Sequence, residues 1–462
     1  MKRFKILLLF LVFWVCQPLP HTVVAQTETT DIPFYLVQEG DTFWDIAARF
    51  GVSVEALQNA NAAAGQLAAG MQLVIPGLQG YAGQVDTHQV IYGETLRSLS
   101  RSYGVSFETL IQLNRLVSPS QVYAGAWMVV TATPPAFAGR ATLSSGETLL
   151  ELAVQQQTNP WSLVLDNHLL GTWDTPPGEV LQTASSTGQG GATELPPAFT
   201  AVTFDPPSLF QGKTVVLQVD APPDLTLQGI LVDRPLNFFP RDGGYVALQG
   251  IHTLTEPGLY PLTLTGTSAN GEKHAFSQMI LVQATEYIFD PPLEVDPTTI
   301  DPAVTGPENE LWASLGVPVT PVKLWDGLFV SPVPFDLSNC WTSLFGNRRS
   351  YNGSAYDYFH GGLDFCGAEG TELYAAAAGQ VVFTGPLAVR GNAVVIDHGW
   401  GIYTAYGHLS QILVSQGDMV QPGQLVGLGG ATGRTTGPHL HWEVWVGGVQ
   451  VDPTDWLTRA FP

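Results

Sequence analysis

Five side chains toward the carboxyl end could do hydrolytic chemistry: His360 and Asp364 in HGGLD, His408 in YGHLS, and His439 and His441 in GPHLHWEV. A hydrolytic zinc centre takes about three nitrogen or oxygen ligands from the protein and leaves its fourth position to water. His360, Asp364 and one of the last two histidines supply such a set. Zinc lowers the pKa of water to about 7 and polarises an amide carbonyl. Residues two apart on a strand share a face, so His439 and His441 can both look into one cleft, one binding metal while the other moves a proton. The i to i+4 spacing of His360 and Asp364 also suits a helix, but Gly361, Gly362 and the flanking Phe359 and Phe365 disfavour one. His360 is therefore expected on a loop and Asp364 at the start of a strand.

Either motif alone arises often by chance, yet half of the ten histidines fall between positions 360 and 441, which makes coincidence a poor account of the cluster. His398, in DHGWG, is expected to hydrogen-bond within a hairpin. His88, His168, His252 and His274 are isolated and are assigned no chemistry.

The surrounding text has the same character: FGNRR at 345–349, YAAAAGQVVFTG at 374–385, VVIDHGWG at 394–401 and GDMVQPGQLVGLGGATGRTTGPHLH ending at His441. With HxxxD, a histidine before leucine and HxH in that order, residues from about Leu328 to Trp456 resemble the lysostaphin-type peptidoglycan metallopeptidases, the glycyl-glycine and related endopeptidases. The resemblance implies a β-rich peptidase domain over 328–458, with His360, Asp364 and His441 as zinc ligands. It also implies that His408 and His439 flank the water and the scissile carbonyl and share the proton shuttle. Tyr406, two residues before His408 and so expected on the same strand face, is a candidate oxyanion donor.

The amino-terminal half repeats itself. Gly40-Asp41-Thr42, Gly93-Glu94-Thr95 and Gly146-Glu147-Thr148 recur at a spacing of 53 residues, as do Leu57, Leu110 and Leu163, and Asn61, Asn114 and Asn167. Each unit reads as a strand, a glycine turn, two short helices and a closing strand. Gly51 and Gly104 suit left-handed caps, and Ser53 and Ser106 suit the start of the next helix. The units at 34–77 and 87–131 resemble LysM domains, βααβ modules that bind N-acetylglucosamine. A degenerate copy follows at 139–184, with Gln157 in place of the cap glycine, Asn159-Pro160 in place of Ser-Val, and a weak closing strand. The resemblance makes Gly40, Asp41, Thr42, Gly93, Glu94 and Thr95 candidate glycan contacts, although these residue types also serve turns and caps.

Residues 1–25 have the form of a signal peptide: Lys2, Arg3 and Lys5 precede an apolar run from Ile6 to Val15, and small residues end at Ala25. Val15 before Cys16 fits a lipid attachment site poorly, and no later stretch reaches the roughly 18 apolar residues of a membrane span. In an exported chain, Cys340 and Cys366 are expected to form a disulfide bracketing HGGLD and fixing the strand of Asp364. Ala184 to Gly191 is Ser/Gly-rich, within a linker at 185–199. Short apolar runs over 200–285 suggest an all-β, immunoglobulin-like sandwich serving as a spacer. Residues 286–327 form a Pro-rich acidic linker, with a brief helical turn at Leu311 to Leu315, long enough to reach back over the cleft. The formal charge of -22 argues against nucleic-acid partners. The expected whole is a secreted zinc endopeptidase acting on peptide cross-links of peptidoglycan, held on the glycan by linked modules. The alternatives are a silent or latent wall-binding protein that activates another hydrolase, and a peptidase acting on proteins.

Overall fold

The computed structural model describes residues 32–62, 65–78, 81–131, 139–144, 146–175, 179–183, 193–196 and 198–462. The expected signal peptide, with Cys16, and the run Ala184 to Gly191 lie outside the described residues.

Each repeat folds as strand, helix, helix, strand. The first comprises Pro33–Leu36, Phe43–Phe50, Val54–Ala60 and Gln72–Val74; the second Gly83–Gln89, Leu96–Tyr103, Phe107–Asn114 and Trp127–Thr131; the third Gly139–Thr142, Leu149–Gln155, Pro160–Asp166 and Val180–Thr183. Asn61, Asn114 and Asn167 recur because each amide clamps the second helix to the closing strand with three bonds of 2.6–3.0 Å. Gly51 and Gly104 take left-handed caps at φ 64° and 62°, and Gln157 takes the same turn at 52°, a conformation that costs a non-glycine residue roughly 1–2 kcal/mol. The third unit thus keeps the turn without the glycine. Its closing strand, expected to be weak, pairs with Gly139–Thr142 over four residues.

Strands between 201 and 283 form a five-stranded and a four-stranded sheet. Leu217, Val219 and Ala247 from one sheet and Leu262, Leu264 and Ile280 from the other share one core. The second repeat docks on this pair of sheets: Ala124 N–H donates to Met279 O at 2.9 Å, and the Tyr92 hydroxyl to Leu262 O at 2.9 Å.

The carboxy-terminal sheet is antiparallel, in the order Trp341–Ser343, Leu363–Cys366, His439–Val446, Ile402–Leu409, Gly391–Gly399, Gly379–Leu387 and Met419–Val420. Leu363, Phe365, Leu440 and Trp442 fill the core beneath it. Strand alternation therefore turns Asp364, His439 and His441 to the opposite face. Val216, Phe239, Val246 and Leu248 of the preceding sheets belong to the same core, and Lys213 ties the two parts through Asp452 and Asp455 at 2.9 Å each. A disulfide joins Cys340 and Cys366.

Residues 286–327 depart from the expectation of a linker. Phe289 and Leu293 bridge to Arg348 and Tyr351, and a 14-residue helix, Pro302–Leu315, replaces the brief turn. Asp301 caps this helix and Pro302 opens it. Trp312, 3% exposed, packs on the peptidase sheet, and the Glu308 carboxylate accepts from Val389 and Arg390 N–H at 2.8 and 3.1 Å. Among the described residues no helix is long and apolar enough to cross a membrane.

The disulfide spans a sequence separation of 26, for which chain entropy gives about 3 kcal/mol. Replacing both cysteines with serine should lower the urea-unfolding free energy of this domain by about that amount; an unchanged midpoint would count against a structural bridge.

Candidate metal centre and catalytic cleft

His439–Val446 lies between Leu363–Cys366 and Ile402–Leu409, with Asp364 opposite His441 on one side and Gly407 opposite it on the other. Gly362 makes room for the imidazole: a Cβ there would lie 2.9 Å from His441 Cε1 and 2.4 Å from Trp442 O. His360 follows the short strand Tyr358–Phe359 on a loop, and Asp364 is the second residue of its strand. His360 Nε2, Asp364 Oδ1 and His441 Nδ1 lie 2.8–2.9 Å from one another. They form a three-residue donor group able to hold a metal ion.

The other polar atom of each of these side chains is already engaged. His360 Nδ1 donates to Leu344 O at 2.8 Å, His441 Nε2 lies 2.9 Å from Glu443 Oε1, and Arg349 donates to Asp364 Oδ2 at 3.1 Å. Such partners fix the ring tautomers and aim the remaining atoms inward, so one carboxylate oxygen and two imidazole nitrogens converge on one point. The donor set fits zinc. Burial lowers the His360 pKa to about 4. It would raise that of Asp364, but the two histidines hold the carboxyl well below the usual range. Burial also opposes charge on His441, yet its bonds to Asp364 and Glu443 prevail and raise its pKa to about 9.

His408 Nδ1 bonds to Thr432 O at 2.7 Å and His439 Nδ1 to Gly437 O at 2.8 Å, which leaves each Nε2 for the cleft. The two rings are 4.8 Å apart. Burial, aided by the neighbouring histidines, lowers the His408 pKa to about 3 and keeps the ring neutral. Tyr406 does not join them. It is fully buried in the core, its hydroxyl oxygen accepts from Ala376 N–H at 2.8 Å, and it is not a candidate oxyanion donor in this fold. The alternation rule fails there because His408, still within the strand Ile402–Leu409, has a left-handed φ of 65°, which turns its side chain toward the cleft. His398 bonds to Ala378 O and Thr404 Oγ1 at 2.8 and 2.7 Å, as expected of a hairpin histidine.

The cleft encloses about 720 Å³. Besides peptidase residues, it is lined by His252 and Leu254 from the loop after the strand Gly244–Gly250 and by Asp290, Leu293, Asn309 and Trp312 from the segment between the two parts. The glycan candidates lie elsewhere and in contrasting settings. Thr42 caps its helix through Asp45 N–H, and Asp41 accepts from Gln38 N–H and the Tyr35 hydroxyl, while nothing lies within 4 Å of where a Gly40 side chain would begin. In the second repeat, Gly93 N–H donates to Gln278, Gln278 donates to Glu94 O, and a Gly93 Cβ would meet Leu195 at 2.6 Å. Thr95 caps its helix through Ser98 N–H. The Gly93 and Glu94 backbone is thus engaged by the sandwich, a tertiary contact that repeat analogy does not foresee.

Glu443 and Trp312 escaped sequence reasoning. Glu443 carried a signal, since an acid in the apolar strand HLHWEVWV must find partners. It binds His441 through Oε1, while Oε2 accepts from Trp312 Nε1, Trp445 Nε1 and Gln450 Nε2 at 3.0, 2.6 and 2.8 Å. Trp312, 131 positions away, carried none. Glu443→Gln should weaken zinc retention about 10–100-fold in chelator competition, the range for a partner that orients a ligand. Trp312→Phe should act in the same direction and less. Wild-type retention in both would contradict this role.

Known domain families match separate parts of the chain. Residues 358–453 match the model of peptidase family M23, and residues 35–76 and 88–131 match the LysM domain. The peptidoglycan DD-endopeptidase ShyA of Vibrio cholerae is 50% identical over 93 residues, 20% of this chain and 22% of that protein. The DD-carboxypeptidase/endopeptidase Mpg of Neisseria meningitidis serogroup B is 44% identical over 94 residues, again 20% and 22%. The chain therefore matches about a fifth of the length of these relatives. A crystal structure of a peptidase M23 from Pseudomonas aeruginosa aligns at 26% identity over 55% of this chain and 96% of that one, with a TM-score of 0.42. The chain carries a lysostaphin-type peptidase M23 domain preceded by two LysM domains.

Proposed function

We propose that this is an extracytoplasmic zinc-dependent endopeptidase that hydrolyses peptide cross-links of peptidoglycan. What carries this reading is the convergence of His360 Nε2, Asp364 Oδ1 and His441 Nδ1, with the opposite atom of each side chain already held. Zinc in that set supplies Lewis acidity toward the scissile carbonyl and a water nucleophile near neutral pH. His408 and His439 each hold Nδ1 on a carbonyl and present Nε2 to the cleft. A neutral imidazole so fixed accepts the proton of the attacking water and returns it to the leaving amine. The cleft walls orient the peptide.

The LysM domains support a wall polymer as substrate rather than a soluble protein, because attachment to the glycan raises the local concentration of cross-links. The open Gly40 to Thr42 loop supports the first repeat as the principal glycan contact, and the docked Gly93 to Glu94 loop makes the second repeat a lesser one. The names of the Vibrio and Neisseria relatives make DD cross-links the first substrate to try. A complete donor set with both histidines weighs against a catalytically silent wall-binding protein.

Incubation with purified peptidoglycan should release fragments with new amino termini, identified by mass spectrometry. Chelator should abolish release and added zinc should restore it. His408→Ala and His439→Ala should each lower the rate by about 10²–10⁴-fold while zinc stays bound. Chelator-insensitive release, or none from several wall types by the zinc-loaded protein, would overturn the proposal.

A further inference from the structure

The chain has 18 lysines and arginines against 40 acidic residues, yet three arginines line the cleft: Arg349, Arg390 and Arg434. Two of them are neutralised within the protein. Arg349 pairs with Asp364 at 3.1 Å and Asp290 at 3.5 Å, and Arg390 with Glu308 at 3.2 Å. Arg434 has no carboxylate partner among the described residues. Its guanidinium donates once, to Thr299 O at 3.2 Å, and stacks 4.3 Å from the Tyr351 ring. A partly buried guanidinium without a counter-charge is costly, and its flat fork is shaped for a carboxylate.

The position of Arg434 sets what such a carboxylate would belong to. Two residues before it, Thr432 O holds His408 Nδ1, and one residue after it, Thr435 Oγ1 lies 3.2 Å from His439 Nδ1. Its own N–H donates to Val389 O, beside Arg390. Arg434 therefore lines the same cleft as His408 and His439 and belongs to the loop that holds both histidines. The ring of Tyr351 beneath it and the Thr299 carbonyl restrict its rotamer, so the side chain is organised before a ligand arrives.

We propose that Arg434 is the receptor for a free carboxylate of the substrate peptide, close to the scissile bond. The site then selects peptides that keep an acid at that position over those carrying a carboxamide. This rests on the endopeptidase reading and adds the class of peptide to it. A charge-assisted, bidentate contact of this kind discriminates by about tenfold or more.

The test uses the zinc-loaded full chain and synthetic cross-linked stem-peptide dimers in which each free carboxylate is amidated in turn. With the wild type, amidation at one position should raise KM about tenfold or more with kcat little changed. Arg434→Gln should lose that preference, cutting acid and amide forms alike with the wild-type kcat/KM for the amide. Arg434→Lys, which keeps the charge, should retain part of it. Indifference of the wild type to every amidation would overturn the proposal without recourse to a variant. So would a loss in Arg434→Gln that is equal for acid and amide peptides, the signature of a merely structural tie to Thr299. Cleavage of none of the peptides by the wild type would instead sink the endopeptidase reading, and the proposal with it.

Discussion

Asp364 lies directly across from His441 because Leu363–Cys366 runs antiparallel to His439–Val446 in that one register. A slip of a single residue would turn Phe365 and Leu440 to the cleft and Asp364 and His441 into the core. Phe365 and Leu440 are 0% and 2% exposed in the observed register, so the hydrophobic core and the polar site fix the same pairing. The disulfide at Cys366 and the pairing of Trp341–Ser343 hold the outer edge of this strand. The candidate metal centre is thereby carried by sheet, with only His360 on a loop.

A buried carboxylate and buried imidazoles also need compensation from outside the ligand set. Two polar chains provide it. One runs from Asp290 through Arg349 to Asp364, the other from Trp312 through Glu443 to His441. Both begin in residues 286–327, the segment that composition suggested was a linker. This segment lies wholly outside the matched family region at 358–453, yet it supports two of the three candidate ligands and one wall of the cleft. The packing around the candidate site thus extends upstream of the residues that match the family model.

Features set by local rules were legible in the sequence. The i, i+2 spacing of His439 and His441 places both on one strand face, and the repeat at 53 residues locates three helix pairs with their caps. Legibility ended where distant contacts or an unusual backbone decided the outcome. Alternation put Tyr406 beside His408, but the left-handed φ of His408 separates them. Repeat analogy treated the glycine turns at 40 and 93 as equivalent, but Gln278 engages only the second. Proline and acid content disguised Asp290, Glu308 and Trp312, whose partners lie 53 to 131 positions away.

Zinc titration of the metal-free protein, with X-ray absorption at the zinc edge, tests directly whether His360, Asp364 and His441 hold one zinc ion. The geometry predicts one zinc per chain, a shell with two imidazole nitrogens and carboxylate oxygen, and loss of one imidazole in His360→Ala and in His441→Ala. Binding unaffected by either substitution, or a first shell without histidine, would contradict it.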